Sequence, residues 1–205
     1  MIPLRTPSPP CINDRGMSDL DPLIKMAIIH HQFESIHPFY DGNGRTGRIV
    51  NILYLVQEGL LNLPVLYLSR YINQSRDECY RLLQSVRLTG SWDEWLTYML
   101  NGVRDTAQQT TRLVFAIRNL MQSQKQQIRT TLPRIYSQDL LNCIFAHPYS
   151  KIAFLMQELG VSRITASRYL EELTKIGIMT KLKAGRQSYY LNDPLVRLLA
   201  NAQSL

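Results

Sequence analysis

The 205-residue sequence has few cysteines, no long apolar run and little negative charge in its second half. Its three cysteines, Cys11, Cys79 and Cys143, have neither zinc-ligand nor disulfide-framework spacing, which favours a reducing compartment. No stretch reaches the roughly 18 uninterrupted apolar residues of a membrane helix, and the first residues lack the apolar core of a signal peptide. We therefore expect a soluble, unexported, cytoplasmic protein.

The net charge of +7 is unevenly distributed along the chain. Residues 1–106 contain ten Lys and Arg against eleven Asp and Glu, whereas residues 107–205 contain thirteen against five. A basic half of this kind favours an anionic partner such as DNA, although a solvated charged face has the same composition.

The spacing of apolar residues predicts a mainly α protein with two domains. We expect an irregular segment over residues 1–20, a helical core over 21–125 and a smaller domain over 126–205, divided in the polar stretch SQKQQIRTT. In the core, helices are predicted over residues 22–36, from the glycine-rich stretch to Gly59, over 75–88, and from about residue 91, with Gly102 as the expected break.

In the second domain, three short helices are predicted to precede a β-hairpin, which is the order of a winged helix-turn-helix. The helices are expected over residues 137–146, 150–159 and 163–176, and the hairpin turns at Ala184-Gly185-Arg186. The candidate DNA contacts are Arg163, Thr165, Ser167, Arg168, Lys181, Lys183 and Arg186. The alternative is a dimerisation or partner-docking module with a solvated basic face.

The glycines of the stretch HPFYDGNGRTGR, residues 37–48, first suggest a dinucleotide site. Gly42, Gly44 and Gly47 match GxGxxG. That fingerprint needs a preceding apolar strand and a later acidic residue, but a predicted helix comes before it here and residues 63–65 are apolar. A Walker loop is excluded as well, because GxxxxGK[ST] does not occur in the chain.

The same stretch nevertheless has the chemistry of a phosphate site. Amides of a glycine-rich turn that enters a helix form an anion cradle, and Arg45 and Arg48 add two guanidinium forks. Asp41 is suited to Mg²⁺ that bridges phosphate oxygens, and His37 can accept a proton near pH 7. Together they indicate phosphoryl or nucleotidyl transfer. A structural histidine, a turn-forming aspartate and a surface ion pair are the alternatives for His37, Asp41 and Arg48.

HPFYDGNGRTGR resembles the signature of the Fic family, HxFx(D/E)GNGRxxR, at every specified position. The resemblance extends to the flanks DPLIKMAIIHHQFESIHPF and YRLLQSVRLTGSWDEWLTYML, and so covers about residues 21–104. It implies a Fic-type helical bundle and a protein adenylyltransferase. Such an enzyme transfers AMP from ATP to a Ser, Thr or Tyr hydroxyl of a target protein and releases pyrophosphate.

The resemblance also implies residue roles. His37 would be the base, Asp41 would hold Mg²⁺, Arg48 would hold the γ-phosphate, and Phe39 would bury its ring and anchor the loop. Tyr80 would stack on adenine, with core packing as its alternative role; its neighbour Cys79 departs from the family's aromatic pair. The implied nucleotide contacts are Gly42, Asn43, Gly44, Arg45, Thr46, Gly47, Arg48, Tyr80 and Arg87.

Two features of the family are missing from the sequence. The inhibitory motif (S/T)xxxE(G/N) has no match, which predicts an unrestrained enzyme or one silenced by a separate inhibitory protein. The upstream helices and the substrate-binding flap are also missing, so we interpret the N-terminus as shortened. We expect either homo-oligomerisation that covers the exposed core or an unstable fragment. The alternative function is a DNA-binding winged-helix regulator whose Fic region is a non-catalytic remnant or a nucleotide sensor.

Overall fold

The computed structural model describes residues 20–185 and 187–201. Over these residues the chain is mostly helical with one small sheet, which confirms the mainly α fold class. The elements are α1 Pro22–Ile36, α2 Asn43–Gln57, α3 Leu68–Gln74, α4 Arg76–Thr89, α5 Asp93–Thr131, α6 Gln138–Ala146, β1 Tyr149–Ser150, α7 Ile152–Leu159, α8 Arg163–Lys175, β2 Thr180–Ala184, β3 Gln187–Leu191 and α9 Asp193–Asn201. None of the helices so described has the length and apolar character needed to span a membrane. The irregular segment predicted for residues 1–20 lies, apart from residue 20, outside the described residues.

The chain divides into two compact units between Thr110 and Thr111, inside α5. Each unit has its own apolar core. The division lies earlier in the chain than the domain boundary that the sequence suggests between residues 125 and 126. Ile128 is fully buried in the second core and Met121 packs against it, so the helix on both sides of the suggested boundary contributes to the second unit.

The first unit is built from α1 to α4 and the first part of α5. Helix α1 begins as predicted, because Asp21 Oδ1 accepts a hydrogen bond of 2.8 Å from Leu23 N and Pro22 occupies the first turn. Its buried face packs against α2. Trp95 of α5 is fully buried and donates from Nε1 to the carbonyl oxygen of Ala27 at 2.9 Å, which ties α5 to the middle of α1.

One helix of the first unit was not predicted, and one expectation is wrong. Residues Leu68–Gln74 form α3, a helix too short for its periodicity to be recognised, although Leu68 and Ile72 are buried one turn apart. Gly102 does not break α5. A Cβ atom there would lie 2.7 Å from the Tyr71 ring, so this glycine permits close packing instead of ending the helix.

The second unit contains the predicted three helices followed by a β-hairpin. Ser162 Oγ accepts from Thr165 N at 3.2 Å and begins α8 as a side-chain cap. The antiparallel sheet has the order β1-β3-β2. Strand β1 and helix α9 were not predicted, and α7 begins at Ile152 because Ser150 pairs with Tyr190 in the sheet.

Candidate nucleotide site

Eight of the predicted site residues line one cavity of about 350 Å³ in the first unit, a size typical of small-ligand sites. They are His37, Asp41, Gly42, Asn43, Gly44, Arg45, Arg48 and Tyr80. Thr46, Gly47 and Arg87 do not line it. The cavity also contains residues that the sequence analysis missed: His30, Glu34, Tyr40, Ile72, Asn73, Arg76, Cys79 and Leu83.

His37 occupies the C-terminal end of α1. Its N–H donates to the carbonyl oxygen of Phe33 at 3.0 Å, and its φ of 52° is left-handed. Among the residues that the structure describes, it is the only non-glycine residue with positive φ. This conformation costs about 1 kcal/mol for an L-residue. It ends the helix and starts the loop at the residue whose imidazole lines the cavity.

The loop after His37 is held by Asn43. Phe39 N donates to Asn43 Oδ1 at 2.9 Å, and Asn43 Nδ2 donates to the Phe39 carbonyl oxygen at 2.6 Å. The expectation that Phe39 anchors the loop by burying its ring is wrong, since the side chain is 50% exposed. The reciprocal hydrogen bonds with the buried Asn43 fix the loop instead.

The loop runs directly into the N-terminus of α2, where an anion cradle was expected. Gly42 has φ of 84° and precedes the first helical residue, Asn43. Thr46 N–H bonds to the Gly42 carbonyl at 2.9 Å, so the free amides of the first turn are those before Thr46. The amides at the positive end of the helix dipole suit a phosphate group.

Asp41 and Arg45 form an exposed ion pair at the cavity. Arg45 Nη2 donates to Asp41 Oδ2 at 3.2 Å, and Asp41 Oδ1 accepts from Gly42 N at 2.7 Å. The two side chains are 85% and 72% exposed. Because exposed ion pairs are weak, both groups can exchange this contact for a ligand.

Arg48 provides a cation that no carboxylate of residues 20–185 and 187–201 pairs. Its Nε donates to Ser69 Oγ at 2.9 Å. Within the described part of the chain, no carboxylate oxygen lies within 4 Å of its guanidinium. A cation at a cavity wall that makes no direct ion pair with a described carboxylate is suited to bind an anionic ligand.

Gly47 has a packing role. A Cβ atom at this position would lie 3.0 Å from Glu34 Oε1 and 3.1 Å from the His30 ring. The glycine therefore lets α1 approach α2 closely, and the structure places no part of Gly47 on the cavity that it was predicted to line.

Glu34 and His30 are the main residues of α1 that sequence reasoning missed. Burial raises the pKa of Glu34, against the opposing electrostatic effect of His37, Arg48 and Arg87. Its Oε1 is buried without a hydrogen-bond partner among the described residues. Burial lowers the pKa of His30 to about 4, so its ring is neutral at pH 7. His30 and Glu34 are one helical turn apart, and His37 follows three residues later. This spacing is the sequence signal from which they could have been predicted.

Arg87 holds the end of α1 instead of lining the cavity. Its Nε donates to Ser35 Oγ and its Nη2 to the Glu34 carbonyl oxygen, both at 3.2 Å. A guanidinium at a helix C-terminus satisfies a free carbonyl group and is favoured by the helix dipole. Arg87 therefore supports the turn from which His37 follows.

Helix α4 supplies the wall that carries Tyr80, which is 55% exposed. The Arg76 guanidinium lies 5.5 Å from the Tyr80 ring centroid, and its Nη2 donates to the Tyr80 hydroxyl at 3.3 Å. Burial raises the pKa of the Cys79 thiol to about 11, so Cys79 is a neutral apolar wall residue at pH 7.

The residues at the cavity fit a magnesium site in which the protein supplies one carboxylate and the other ligands are water and substrate phosphates. No group of three or more His, Cys, Asp or Glu side chains in the described residues has metal-binding geometry. Mg²⁺ is commonly held by one or two carboxylates together with water and substrate phosphates. The exposed Asp41 carboxylate beside the amides of α2 matches that donor set.

The predicted DNA contacts of the second unit differ in their availability. Arg163, Arg168 and Lys183 are exposed. The Thr165 hydroxyl lies 3.0 Å from Ser162 Oγ in the cap of α8. Ser167 is half-buried, and Lys181 is paired with Glu171. Arg186 lies outside the described residues.

Comparisons with known proteins agree with the signature. The sequence model of the Fic/DOC family matches residues 6–55, and the model described as the C-terminal domain of SoFic-like protein adenylyltransferases matches residues 120–195. A probable protein adenylyltransferase of Aquifex aeolicus (strain VF5) is 44% identical over 63 residues, which is 31% of this chain and 20% of that protein. The protein adenylyltransferases fic-1 of Caenorhabditis briggsae and Caenorhabditis elegans are each 39% identical over 56 residues, which is 26% of this chain and 11% of theirs.

The chain thus spans a fifth or less of the length of these relatives. A solved structure of a Fic family protein from Desulfovibrio desulfuricans G20 aligns over 85% of this chain and 50% of that chain, with 23% identity and a TM-score of 0.44. The Fic/DOC model contains the signature loop and most of α2. The chain is thus similar to the Fic/DOC family over residues 6–55 and to the SoFic-like C-terminal domain over residues 120–195.

Proposed function

We propose that the chain is a protein adenylyltransferase that transfers AMP from ATP to a hydroxyl group of a target protein. The observation that carries the proposal is the convergence of His37, the α2 amides and the unpaired Arg48 on one cavity. A proton acceptor beside an anion cradle is the arrangement that nucleotidyl transfer requires. The names of the family models and relatives support the same activity.

In the proposed reaction, His37 takes the proton from the target hydroxyl as its oxygen attacks the α-phosphate of ATP. The new bond joins that oxygen to the α-phosphorus, and the bond to the β-phosphate oxygen breaks, releasing pyrophosphate. The first amides of α2, Arg45 and Arg48 hold the phosphates in line for the attack. Tyr80 offers its exposed ring as a stacking surface for the base.

Asp41 would hold Mg²⁺ together with the nucleotide phosphates. When bound there, the ion neutralises charge on the phosphate oxygens. The Asp41 carboxylate is free to do this once Arg45 turns from it to a phosphate, since their pair is exposed.

Labelling with two forms of ATP tests the proposal. The full chain is incubated with Mg²⁺ and cell lysate, once with ATP labelled at the α-phosphate and once with ATP labelled at the γ-phosphate. Transfer of AMP labels protein from the first only. His37→Ala should abolish the label while circular dichroism is unchanged, and His147→Ala in the second unit serves as the matched histidine control. Label from γ-labelled ATP that depends on His37, or label from α-labelled ATP that is equal with His37→Ala, would refute the proposal.

A second candidate function is DNA binding by the second unit as a winged helix. The helix and hairpin order and the exposed Arg163, Arg168 and Lys183 favour it. The logarithm of affinity should then fall linearly with the logarithm of salt concentration. If the second unit binds DNA and the chain binds ATP without transferring AMP, the chain would be a nucleotide-sensing regulator. An affinity that does not change with salt would exclude phosphate contacts.

Two partner proposals concern the first unit. Since Arg48 has no carboxylate partner in the described residues, we propose that the enzyme is either unrestrained or silenced by a separate inhibitory protein. Ile49, Leu53 and Val65 are more than half exposed, which favours a homo-oligomer. Light scattering over a range of protein concentrations measures the oligomeric state.

A further inference from the structure

Ser69 is joined to the candidate phosphate site through one hydrogen bond. Arg48 Nε donates to Ser69 Oγ at 2.9 Å, which links α2 to α3. Arg48 lines the nucleotide cavity and Ser69 does not. Any effect of Ser69 on a bound nucleotide therefore passes through Arg48.

The hydrogen bond to Ser69 uses Nε of Arg48, which is the guanidinium donor that a phosphate needs least. A guanidinium has five N–H donors, and a bond at Nε fixes the plane of the group while the two terminal nitrogens stay available. On the other side, Gly44 leaves room for Nη1, because a Cβ atom there would lie 3.1 Å from it. The fork is thus oriented by Ser69 and given space by Gly44.

The acceptor is also neutral. A carboxylate in the place of Ser69 would orient Arg48 equally well, but its negative charge would compete with phosphate for the same cation. No carboxylate of the described residues lies within 4 Å of Arg48. The guanidinium consequently keeps its full charge and a fixed orientation.

We propose that Ser69 is a positioning residue that orients Arg48 towards the nucleotide phosphates without neutralising it. The proposal rests on the proposed function, because it takes the cavity as the nucleotide site. It assigns to α3, which lies outside the family signature, a part in the affinity for ATP.

Direct titration of the full chain with ATP and Mg²⁺, and separately with AMP, tests the proposal without a target protein. Ser69→Ala should weaken ATP binding about tenfold, as expected for loss of a hydrogen bond to a charged group, and leave AMP binding unchanged. Ser69→Thr keeps the hydroxyl and should bind ATP as the wild type does. Ser69→Asp should bind ATP more weakly than Ser69→Ala, although it keeps an acceptor for Nε. A merely structural role of Ser69 would not produce this order.

Two controls complete the design. Ser85→Ala removes a hydroxyl of α4 that makes no hydrogen bond with another described residue, and should change nothing. In an Arg48→Ala background, Ser69→Ala should have no further effect on ATP binding. The proposal is overturned if Ser69→Ala binds ATP like the wild type, if Ser69→Asp binds it as tightly, or if the effect persists without Arg48.

These outcomes are separate from those for the proposed function. Ser69-dependent ATP binding without protein labelling would refute adenylyl transfer and retain the role of Ser69. Protein labelling together with ATP binding that does not depend on Ser69 would retain adenylyl transfer and refute the role of Ser69. A chain that binds no ATP in the presence of Mg²⁺ would refute both.

Discussion

The two units of the chain bury polar groups in different ways. In the first unit, Glu34 Oε1 and both polar atoms of the Asn51 amide are buried without a hydrogen-bond partner among the described residues. In the second unit, the buried amides of Gln124 and Asn192 satisfy each other, with N to O distances of 3.0 and 3.1 Å. Buried polar groups without partners cost stability. Glu34 is such a group at the cavity of the first unit. The second unit has one as well, Ser150 Oγ, but joins its elements through a buried amide pair.

Individual cations of the two units also differ in whether a carboxylate pairs with them. Arg48 of the first unit faces the cavity without a carboxylate partner in the described part of the chain. In the second unit, Lys175 and Lys181 pair with Glu172 and Glu171 on α8. The charge of Arg48 is therefore available to a ligand, while the charges of Lys175 and Lys181 are balanced on the surface.

The largest expected effect is acid destabilisation of the first unit through His30. Its folded-state pKa of about 4 lies below the ordinary value of 6.5, so the unfolded chain takes up the proton first as the pH falls. The stability present above pH 6.5 is then lost until about pH 4, by about 3 kcal/mol. The chain has two tryptophans, Trp92 and Trp95, both in the first unit, so denaturant titrations followed by tryptophan fluorescence measure this loss.

The control for this prediction is His30→Gln, which removes the titrating ring. The pH dependence between 6.5 and 4 should become shallower, whatever the absolute stability of the variant. An unchanged slope would mean that other groups cause the acid sensitivity of the unit.

Loss of the buried amide pair should destabilise the second unit only. Asn192→Ala leaves the Gln124 amide buried and unpaired, at a cost of about 2 kcal/mol. Hydrogen exchange of α6 and α8 amides should accelerate, and tryptophan fluorescence of the first unit should report no change. Asn142→Ala, at an exposed position of α6, is the matched control. Equal loss in both units would remove the distinction between them.

Gly47→Ala should destabilise the first unit by a smaller amount. The new methyl group would lie 3.0 to 3.1 Å from Glu34 and His30, which costs free energy through overpacking, while alanine favours the helix. We expect a net loss of about 1 kcal/mol. Gln57→Ala, at an exposed position of the same helix, should not destabilise it. A variant as stable as the wild type would show that α1 and α2 have room to separate.

The smallest effect on stability is expected for Glu171→Gln. The variant loses the exposed pair with Lys181, and the thermal midpoint should not change measurably. If the second unit binds DNA through Lys181, the released cation should steepen the dependence of affinity on salt by about one phosphate contact. Glu172→Gln, which releases Lys175 instead, is the matched control. Identical salt dependence in all three proteins would argue against a DNA contact by Lys181.

The sequence predicted the elements whose signals are local. Asp21 and Pro22 marked the start of α1, and the order of three helices and a hairpin was visible in the second unit. It could not reveal α3 or β1, because a seven-residue helix and a two-residue strand have too few residues for a recognisable period.

The sequence alone determined the signature loop and the resemblance to the Fic family, because those depend on residue types at fixed spacing along the chain. Only the tertiary structure decided that Ser69 accepts from Arg48, that Arg87 holds the end of α1, and that Gly47 lets two helices pack closely instead of lining the cavity. These contacts join residues far apart in the chain or on facing helices. Their partners are set by how the helices pack, which no local pattern encodes.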